Sequence, residues 1–270
     1  KGTKLGHTSG LWNVSASCQE SFVWRERIGE MVNDMIKVMQ AHASVRNFTT
    51  EKIPEEILKV MIEAGRAAST WKNFQSYSII NVHTVETKDK IFELQPQKSI
   101  KNASNFLVFV GDLNRAEKAT KLHTDQFYPE GTENLLISSV DASLAAQNTL
   151  LAAESLGYGG VFVGLIRDQA AELSALLNLP DYTYPLFGLA LGIPARQNAV
   201  KPRLPYEAVV FDERYQEQTS QVIQDYDQMQ ADFAGERRLT STWSERIAAQ
   251  FGAPSQTVTL ANLQDKGLMS

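Results

Sequence analysis

The chain has 270 residues, 43% of them hydrophobic and 21% charged, which is enough to bury the core of a folded domain. A net charge of −5 argues against nonspecific binding to nucleic acid, because such binding needs a concentrated basic surface. The one cysteine, Cys18, excludes a disulfide framework and a cysteine-ligated zinc site within one chain and favours a reducing compartment.

The first thirty residues differ from the rest because they show no regular period. We expect residues 1–30 to be an added, upstream-encoded or disordered extension. The alternative is a native arm that packs on a partner through Trp12, Phe22 and Trp24. Residues 31–270 are expected to form a single domain with a C-terminal helical excursion.

Helical and strand patterns alternate from residue 31 onwards. Helical spacing of apolar residues begins at Met31 and again after Pro54, which suits the first turn of a helix. Further helices are predicted at 132–156, 168–178, 215–233 and 242–251, and buried strands at 77–83, 105–111, 159–164 and 186–192. This order indicates an α+β or α/β domain with a central sheet of four or five strands.

The predicted helix 132–156 is the longest. One of its faces is marked by Leu136, Val140, Leu144, Gln147 and Leu151. Its alanines keep it slim and allow a neighbouring helix to approach, so we expect it at the centre of the fold. Polar residues interrupt this helix, which excludes a membrane span. We expect a cytoplasmic protein.

Several catalytic motifs are absent from the sequence. There is no G-x-x-x-x-G-K-[ST] loop, no G-x-S-x-G elbow and no H-E-x-x-H pair. The four histidines are far apart in the chain, so no metal site is predicted.

Two short basic segments are candidates for an anion site. HASVR at 42–46 offers an imidazole, a hydroxyl and a guanidinium, which suit a phosphate. KPRLP at 201–205 is stiffened by prolines, so Lys201 and Arg203 are expected on the same side of an extended segment. The alternative is that Ser44 caps a turn and that the cations are solvated surface charges.

The segment STWKNFQ at 69–75 is a third candidate. Its hydroxyls, amides and aromatic rings suit a planar heteroaromatic ligand, which needs edge hydrogen bonds and apolar contact on its face. The alternative is a surface loop whose Trp71 and Phe74 are packed into the core.

Taken together and in this order, these segments resemble the nitroreductase family of FMN-dependent NAD(P)H oxidoreductases. The resemblance is greatest to the bacterial NADPH-preferring flavin reductases and oxygen-insensitive nitroreductases, and it extends from about residue 34 to residue 251. The matching motifs are HASVRNFT at 42–49 with Ile53-Pro54, Gln97-Lys98, D-x-x-x-AAQN at 141–148, AAESLG-x-GGV at 152–161, PLFGL at 185–189, KPRLP at 201–205, Arg237-Arg238 and TWS at 242–244. Ala43 departs from the pattern, which has Arg there, and Thr70 replaces a common Ser.

The resemblance implies an α-β-α fold of the α+β class, with a central mixed sheet, and a homodimer with two FMN sites at the subunit interface. It implies that the FMN phosphate is held by His42, Ser44, Arg46, Lys201 and Arg203. It places Thr70 and Gln97 at the isoalloxazine or ribityl edge, with Ser69 and Gln75 as weaker candidates, Val163 and Gly164 along the ring, and Arg237 and Arg238 at the NADPH 2′-phosphate.

The activity implied is ping-pong hydride transfer from NADPH through FMN to flavins, quinones or nitroaromatics. Because the chemistry belongs to the flavin, no catalytic side chain is expected. Two alternatives remain: a flavin-binding or flavin-delivery protein with little turnover, weakened at Ala43, and an interaction domain without flavin.

Overall fold

Four strands form the central sheet of the computed structural model, which describes residues 32–237, 239–254 and 258–270. The strands are β1 (Tyr77–Val82), β2 (Asn105–Asp112), β3 (Gly159–Val163) and β4 (Thr183–Gly192), in the spatial order β1-β2-β4-β3. Every pair is antiparallel, so the expected number of strands is confirmed and the expected mixed sheet is wrong for the described chain. A nearly continuous apolar strand reports burial on both faces, which is typical of parallel sheets. Here the antiparallel strand β2 is buried along its whole length and shows the same pattern.

Ten helices are described around this sheet. They are α1 (Asp34–Gln40), α2 (Glu55–Arg66), α3 (Val85–Leu94), α4 (Lys98–Asn102), α5 (Asn114–Thr120), α6 (Thr132–Ser155), α7 (Ala170–Leu176), α8 (Ser220–Ala234), α9 (Trp243–Phe251) and α10 (Val258–Asp265). Four of them, α3, α4, α5 and α10, were not predicted from the sequence. Within the described chain, none of the helices is both long enough and apolar enough to span a bilayer.

The chain divides by its contacts into residues 1–41 and residues 42–270. The first unit contains α1, which begins after Asn33, whose side-chain oxygen accepts a hydrogen bond from the Ile36 amide at 3.0 Å. The predictions for residues 1–30 lie outside the described residues. The sheet, the other nine described helices and the candidate site all belong to the second unit.

Strand β2 lies in the interior of the sheet, and all eight of its residues are buried. It pairs with β1 on one side and β4 on the other. Burial of both of its faces explains its nearly continuous apolar sequence. Opposite it on β4, Gly188 leaves room for the ring of Phe106: a Cβ at this position would lie 2.0 Å from the ring.

Helix α6 packs against α2 and the sheet through its small residues. Ala142, Ala145, Ala146 and Ala153 are fully buried, which confirms that alanines allow close helix approach. The opposite face carries Leu136, Val140 and Leu144, called here the α6 stripe, and these side chains are 54%, 51% and 44% exposed. The larger apolar residues of this helix therefore point away from the core of the chain.

Candidate functional site: a cavity lined by cations

The loop that carries the first basic segment is attached by its backbone to two strands. The Val45 amide donates to the Gly160 carbonyl of β3 at 2.8 Å. Just beyond β4, Phe48 forms an isolated bridge with Pro194, and the Thr49 amide donates to the Ile193 carbonyl at 2.9 Å. These bonds fix the loop across one end of the sheet.

The second basic segment is held between that loop and α8. Asn198 donates from Nδ2 to the Ser44 carbonyl at 2.9 Å. Farther along, the Pro202 carbonyl accepts hydrogen bonds from the Tyr226 hydroxyl at 2.9 Å and from Gln230 Nε2 at 3.2 Å. Lys201 and Arg203, on either side of Pro202, are thereby positioned beside residues 42–46.

The two segments enclose one cavity of about 230 Å³, called here the cation cavity. It is lined by His42, Ala43, Ser44, Arg46, Asn47, Arg196, Asn198, Ala199, Lys201, Arg203, Phe233 and Arg237. This lining contains five cations and no carboxylate, and the structure shows no ion pair between any of these cations and a described residue. Five cations around so small a space are suited to bind an anion with several oxygens.

All five residues predicted to bind phosphate line the cation cavity: His42, Ser44, Arg46, Lys201 and Arg203. Lys201 and Arg203, predicted to lie on the same side of their segment, both line this cavity. Arg237, predicted to contact the NADPH 2′-phosphate, lines the same cavity, and Arg238 lies outside the described residues.

Besides Ala43, six further residues of this region were not predicted as site residues: Asn47, Arg196, Asn198, Ala199, Phe233 and Glu154. Arg196 extends the run of cations toward Lys201, a spacing that could have been recognised in the sequence. Glu154 could not have been found in this way, because it contacts His42 across 112 positions, with Oε1 lying 2.6 Å from Nδ1.

The turn that carries Arg237 joins α8 to α9 and is closed by Asp227. This carboxylate accepts hydrogen bonds from the Ser244 hydroxyl and, at 2.9 Å, from the Ser244 amide. The hydroxyl bond is the main reason why the pKa of Asp227 is held below its usual value. The Trp243 ring meets Tyr226 edge to face, with their centroids 5.3 Å apart.

The third segment, residues 69–75, forms a constrained surface loop. Asp141, 1% exposed on α6, accepts backbone hydrogen bonds from Trp71 at 2.9 Å and from Ser76 at 3.0 Å. Three residues between these anchors have left-handed backbone angles: Lys72, Asn73 and Gln75. Such angles are strained for residues other than glycine and recur at functional sites.

The aromatic residues of this loop are exposed. Trp71 is 51% exposed and Phe74 is 59% exposed, so the alternative in which they are packed into the core is wrong for this chain. Ser69 and Gln75 are also exposed, and Thr70 is half-buried. None of these residues lines the cation cavity.

The other predicted ring contacts lie at the end of β3 and before α4. Val163 ends β3, Gly164 follows it, and Gln97 precedes α4. The side chain of Gln95 donates to the Leu165 carbonyl at 2.9 Å, which joins these two segments. Neither segment lines the cation cavity, so the structure brings together the predicted phosphate contacts but not the predicted ring contacts.

Known proteins resemble this chain over most of its length. The Nitroreductase family model matches residues 39–193, and the model of the Nitroreductase family C-terminal domain matches residues 201–270. An NADPH-flavin oxidoreductase of Vibrio harveyi is 38% identical over 241 residues, covering 88% of this chain and 99% of that protein. An FMN reductase [NAD(P)H] of Bacillus subtilis strain 168 is 40% identical over 228 residues, covering 82% of this chain and 92% of that protein.

A solved structure extends the similarity to the fold. The NADPH:FMN oxidoreductase of Vibrio harveyi, complexed with NAD+, has a TM-score of 0.81 and 37% identity, covering 87% of this chain and 99% of that one. The family matches together include both segments that form the cation cavity. The chain belongs to the Nitroreductase family.

Proposed function

We propose that this chain is an FMN-dependent oxidoreductase that uses NADPH to reduce flavins, quinones or nitroaromatics. The cation cavity is the observation that carries the proposal. A phosphate monoester bears close to two negative charges at neutral pH and three acceptor oxygens, and the cavity offers cationic donors with no competing carboxylate in its lining. The donor set therefore fits the phosphate of FMN.

Six residues of the cavity have a proposed role in holding that phosphate. Arg46 and Arg203 provide guanidinium groups, Lys201 an ammonium and Ser44 a hydroxyl. His42, in the same segment as Ser44 and Arg46, provides a ring nitrogen. Arg196 adds a cation although position 43 is alanine, so the departure from the family pattern does not leave the cavity poor in positive charge.

The ring of the flavin is assigned to the remaining predicted residues. Thr70, Gln97, Ser69 and Gln75 are proposed as edge contacts, and Val163 and Gly164 as neighbours of the ring. FMN, when bound, supplies the redox chemistry, accepting reducing equivalents from NADPH and passing them to the acceptor. The protein holds and orients both partners, and no side chain is assigned as a catalytic acid or base.

Arg237 is proposed to recognise the NADPH 2′-phosphate, together with Arg238. Its guanidinium lies 5.6 Å from the centre of the Phe233 ring, and its Nε donates to the Ala234 carbonyl at 3.3 Å. These contacts hold it in the lining of the cation cavity. NADPH use and the single cysteine fit the cytoplasm, the compartment that we propose.

We also propose that the chain works as a homodimer. The α6 stripe exposes three large apolar side chains in one row, and such a row is costly in water unless a partner covers it. In an isologous dimer the same stripe of the second subunit would cover it. A second subunit would also complete the ring portion of the flavin site, which no single described cavity of this chain encloses.

The visible absorption spectrum of the purified protein, with and without added FMN, tests the cofactor. Flavin bands that are released as FMN on denaturation are expected. Steady-state oxidation of NADPH with a quinone then tests the activity. A protein that binds no FMN would refute the proposal, and one that binds FMN but turns over slowly would instead be a flavin-delivery protein.

A further inference from the structure

We propose that Glu154 is a positioning residue that couples phosphate binding in the cation cavity to protonation of His42. The inference rests on the proposed function, because it takes the phosphate of FMN as the ligand. It assigns a role to a carboxylate that contacts His42 and is not part of the cavity lining.

The first observation is the geometry of the pair. Glu154 Oε1 lies 2.6 Å from His42 Nδ1, and the two side chains are 12% and 25% exposed. The other carboxylate oxygen, Oε2, is buried and has no hydrogen-bond partner among the described residues. The carboxylate of Glu154 therefore directs its one side-chain hydrogen bond to His42, and Nε2 is the ring nitrogen left for a ligand.

A hydrogen bond from His42 to phosphate depends on how many protons the Glu154–His42 pair carries. An ionised carboxylate only accepts hydrogen bonds, so a neutral imidazole beside it keeps its one proton on Nδ1 and presents a lone pair at Nε2. A phosphate oxygen also only accepts. An Nε2–H donor toward phosphate therefore requires one more proton on the pair, and this count is the same whether that proton is assigned to the ring or to Glu154.

His42 shares its cavity with five cations. Arg46, Arg196, Lys201, Arg203 and Arg237 line the same cavity, and Glu154 is the carboxylate that contacts the ring. A phosphate dianion at Nε2 stabilises the added proton that its hydrogen bond requires, so the proton enters with the ligand.

The consequence is a pH dependence of FMN affinity with a definite sign. The complex holds more protons than the free protein, so the affinity falls as pH rises. Phosphate monoesters lose their second proton near pH 6, and lysine and arginine ordinarily stay charged to about pH 10. The range from pH 7 to pH 9 therefore isolates the Glu154–His42 pair.

The experiment measures the Kd of FMN at several pH values in this range, using protein freed of flavin and quenching of FMN fluorescence. For the wild type the Kd is expected to rise by up to about tenfold per pH unit. In E154Q the amide can donate to Nδ1, so the neutral ring can present Nε2–H, and the Kd is expected to vary by less than about twofold. E93Q, an exposed glutamate on α3 without an ion pair to a described residue, is the matched control and should follow the wild type.

A second measurement does not depend on any variant. Calorimetry of the wild type in two buffers of different ionisation enthalpy should show uptake of close to one proton per FMN near pH 8. FMN binding with no proton uptake, or with the same pH slope in E154Q and wild type, would overturn this inference alone. No FMN binding at any pH would overturn the proposed function and this inference together.

Discussion

Asn198 donates a hydrogen bond from Nδ2 to the carbonyl oxygen of Ser44 at 2.9 Å, across 154 positions of the chain. This bond joins the two segments that contribute most of the cations to the cation cavity. N198A should therefore separate them without removing a charge. A hydrogen bond of this kind contributes about 0.5–1.5 kcal/mol, so we expect the Kd of FMN to rise roughly three- to tenfold. Fluorescence titration measures it, and the exposed neighbour Q197A is the control; an unchanged Kd in N198A would contradict the proposed role.

Asp141 fixes the loop that carries Ser69 and Thr70. In D141N the side-chain oxygen can still accept from one of the two backbone amides. The new NH2 group faces the other amide, so a buried donor is left unsatisfied. We expect a loss of about 1–3 kcal/mol in the free energy of unfolding and faster hydrogen exchange at Trp71 and Ser76. Chemical denaturation and exchange measurements test this, with the exposed D168N as control. Protection equal to the wild type would show that the strained loop holds itself.

The α6 stripe predicts the oligomeric state. L144E places a charge in the stripe and should convert the proposed dimer to a monomer, because an unpaired charge in an apolar interface is costly. L122E carries the same change at a side chain that is 80% exposed and lies off α6, and it should remain dimeric. Sedimentation velocity distinguishes the two. A monomeric wild type, or a dimeric L144E, would count against this interface.

Gly65 of α2 packs directly against α6. A Cβ at this position would lie 2.0 Å from Thr149 Oγ1 and 2.8 Å from the Ala145 carbonyl oxygen. Alanine is favoured over glycine in a helix by about 1 kcal/mol, but the overlap outweighs this gain. We expect G65A to lower the free energy of unfolding by about 1–3 kcal/mol.

Denaturant unfolding measures the effect of G65A, with V60A on the exposed side of the same helix as control. T149A should rescue G65A only in part, since the backbone oxygen of Ala145 remains in place. Full rescue would show that the hydroxyl of Thr149 alone sets the distance between the helices.

The lowered pKa of Asp227 predicts that part of the folding stability is lost in acid. Its pKa is lowered chiefly by the Ser244 hydroxyl, so the ionised form stabilises the folded state above the ordinary value of 3.8, and this contribution is lost as pH falls through the lower folded-state pKa. D227N removes it, so its Tm should fall less than that of the wild type between pH 5 and pH 3. Thermal unfolding followed by circular dichroism measures both, with D225N on the same helix as control. Parallel acid curves for D227N and wild type would refute the linkage.

Much of the fold could be read from local patterns. The four strands lie within a few residues of their predicted positions, and α6 ends one residue before the predicted boundary. Gly157, with a φ of 83°, follows that helix as a left-handed cap residue should. These features depend on side chains close together in sequence, whose spacing reflects burial on one face or two.

The short helices α3, α4 and α5 escaped prediction because their apolar faces are narrow. In α3, Lys88 and Ile91 are the buried residues, and a buried lysine gives no hydrophobic signal. Its ammonium group donates to the Ala103 carbonyl, and burial lowers the pKa of this amine. Lys88 and Ala103 are fifteen positions apart, so tertiary packing decides their contact. A short window of sequence does not contain both residues.

The sequence by itself determined the chemistry available to this protein: an imidazole, a hydroxyl and a guanidinium at 42–46, and two cations on the same side of the chain at 201–203. Tertiary structure decided that these groups share one cavity, that Arg196 and Arg237 join them, and that Glu154 contacts His42. The physical reason is that residue type and spacing set what a side chain can donate, accept or bury. Only the packing of β3, β4 and α8 sets which distant donors come within a few ångströms of one another.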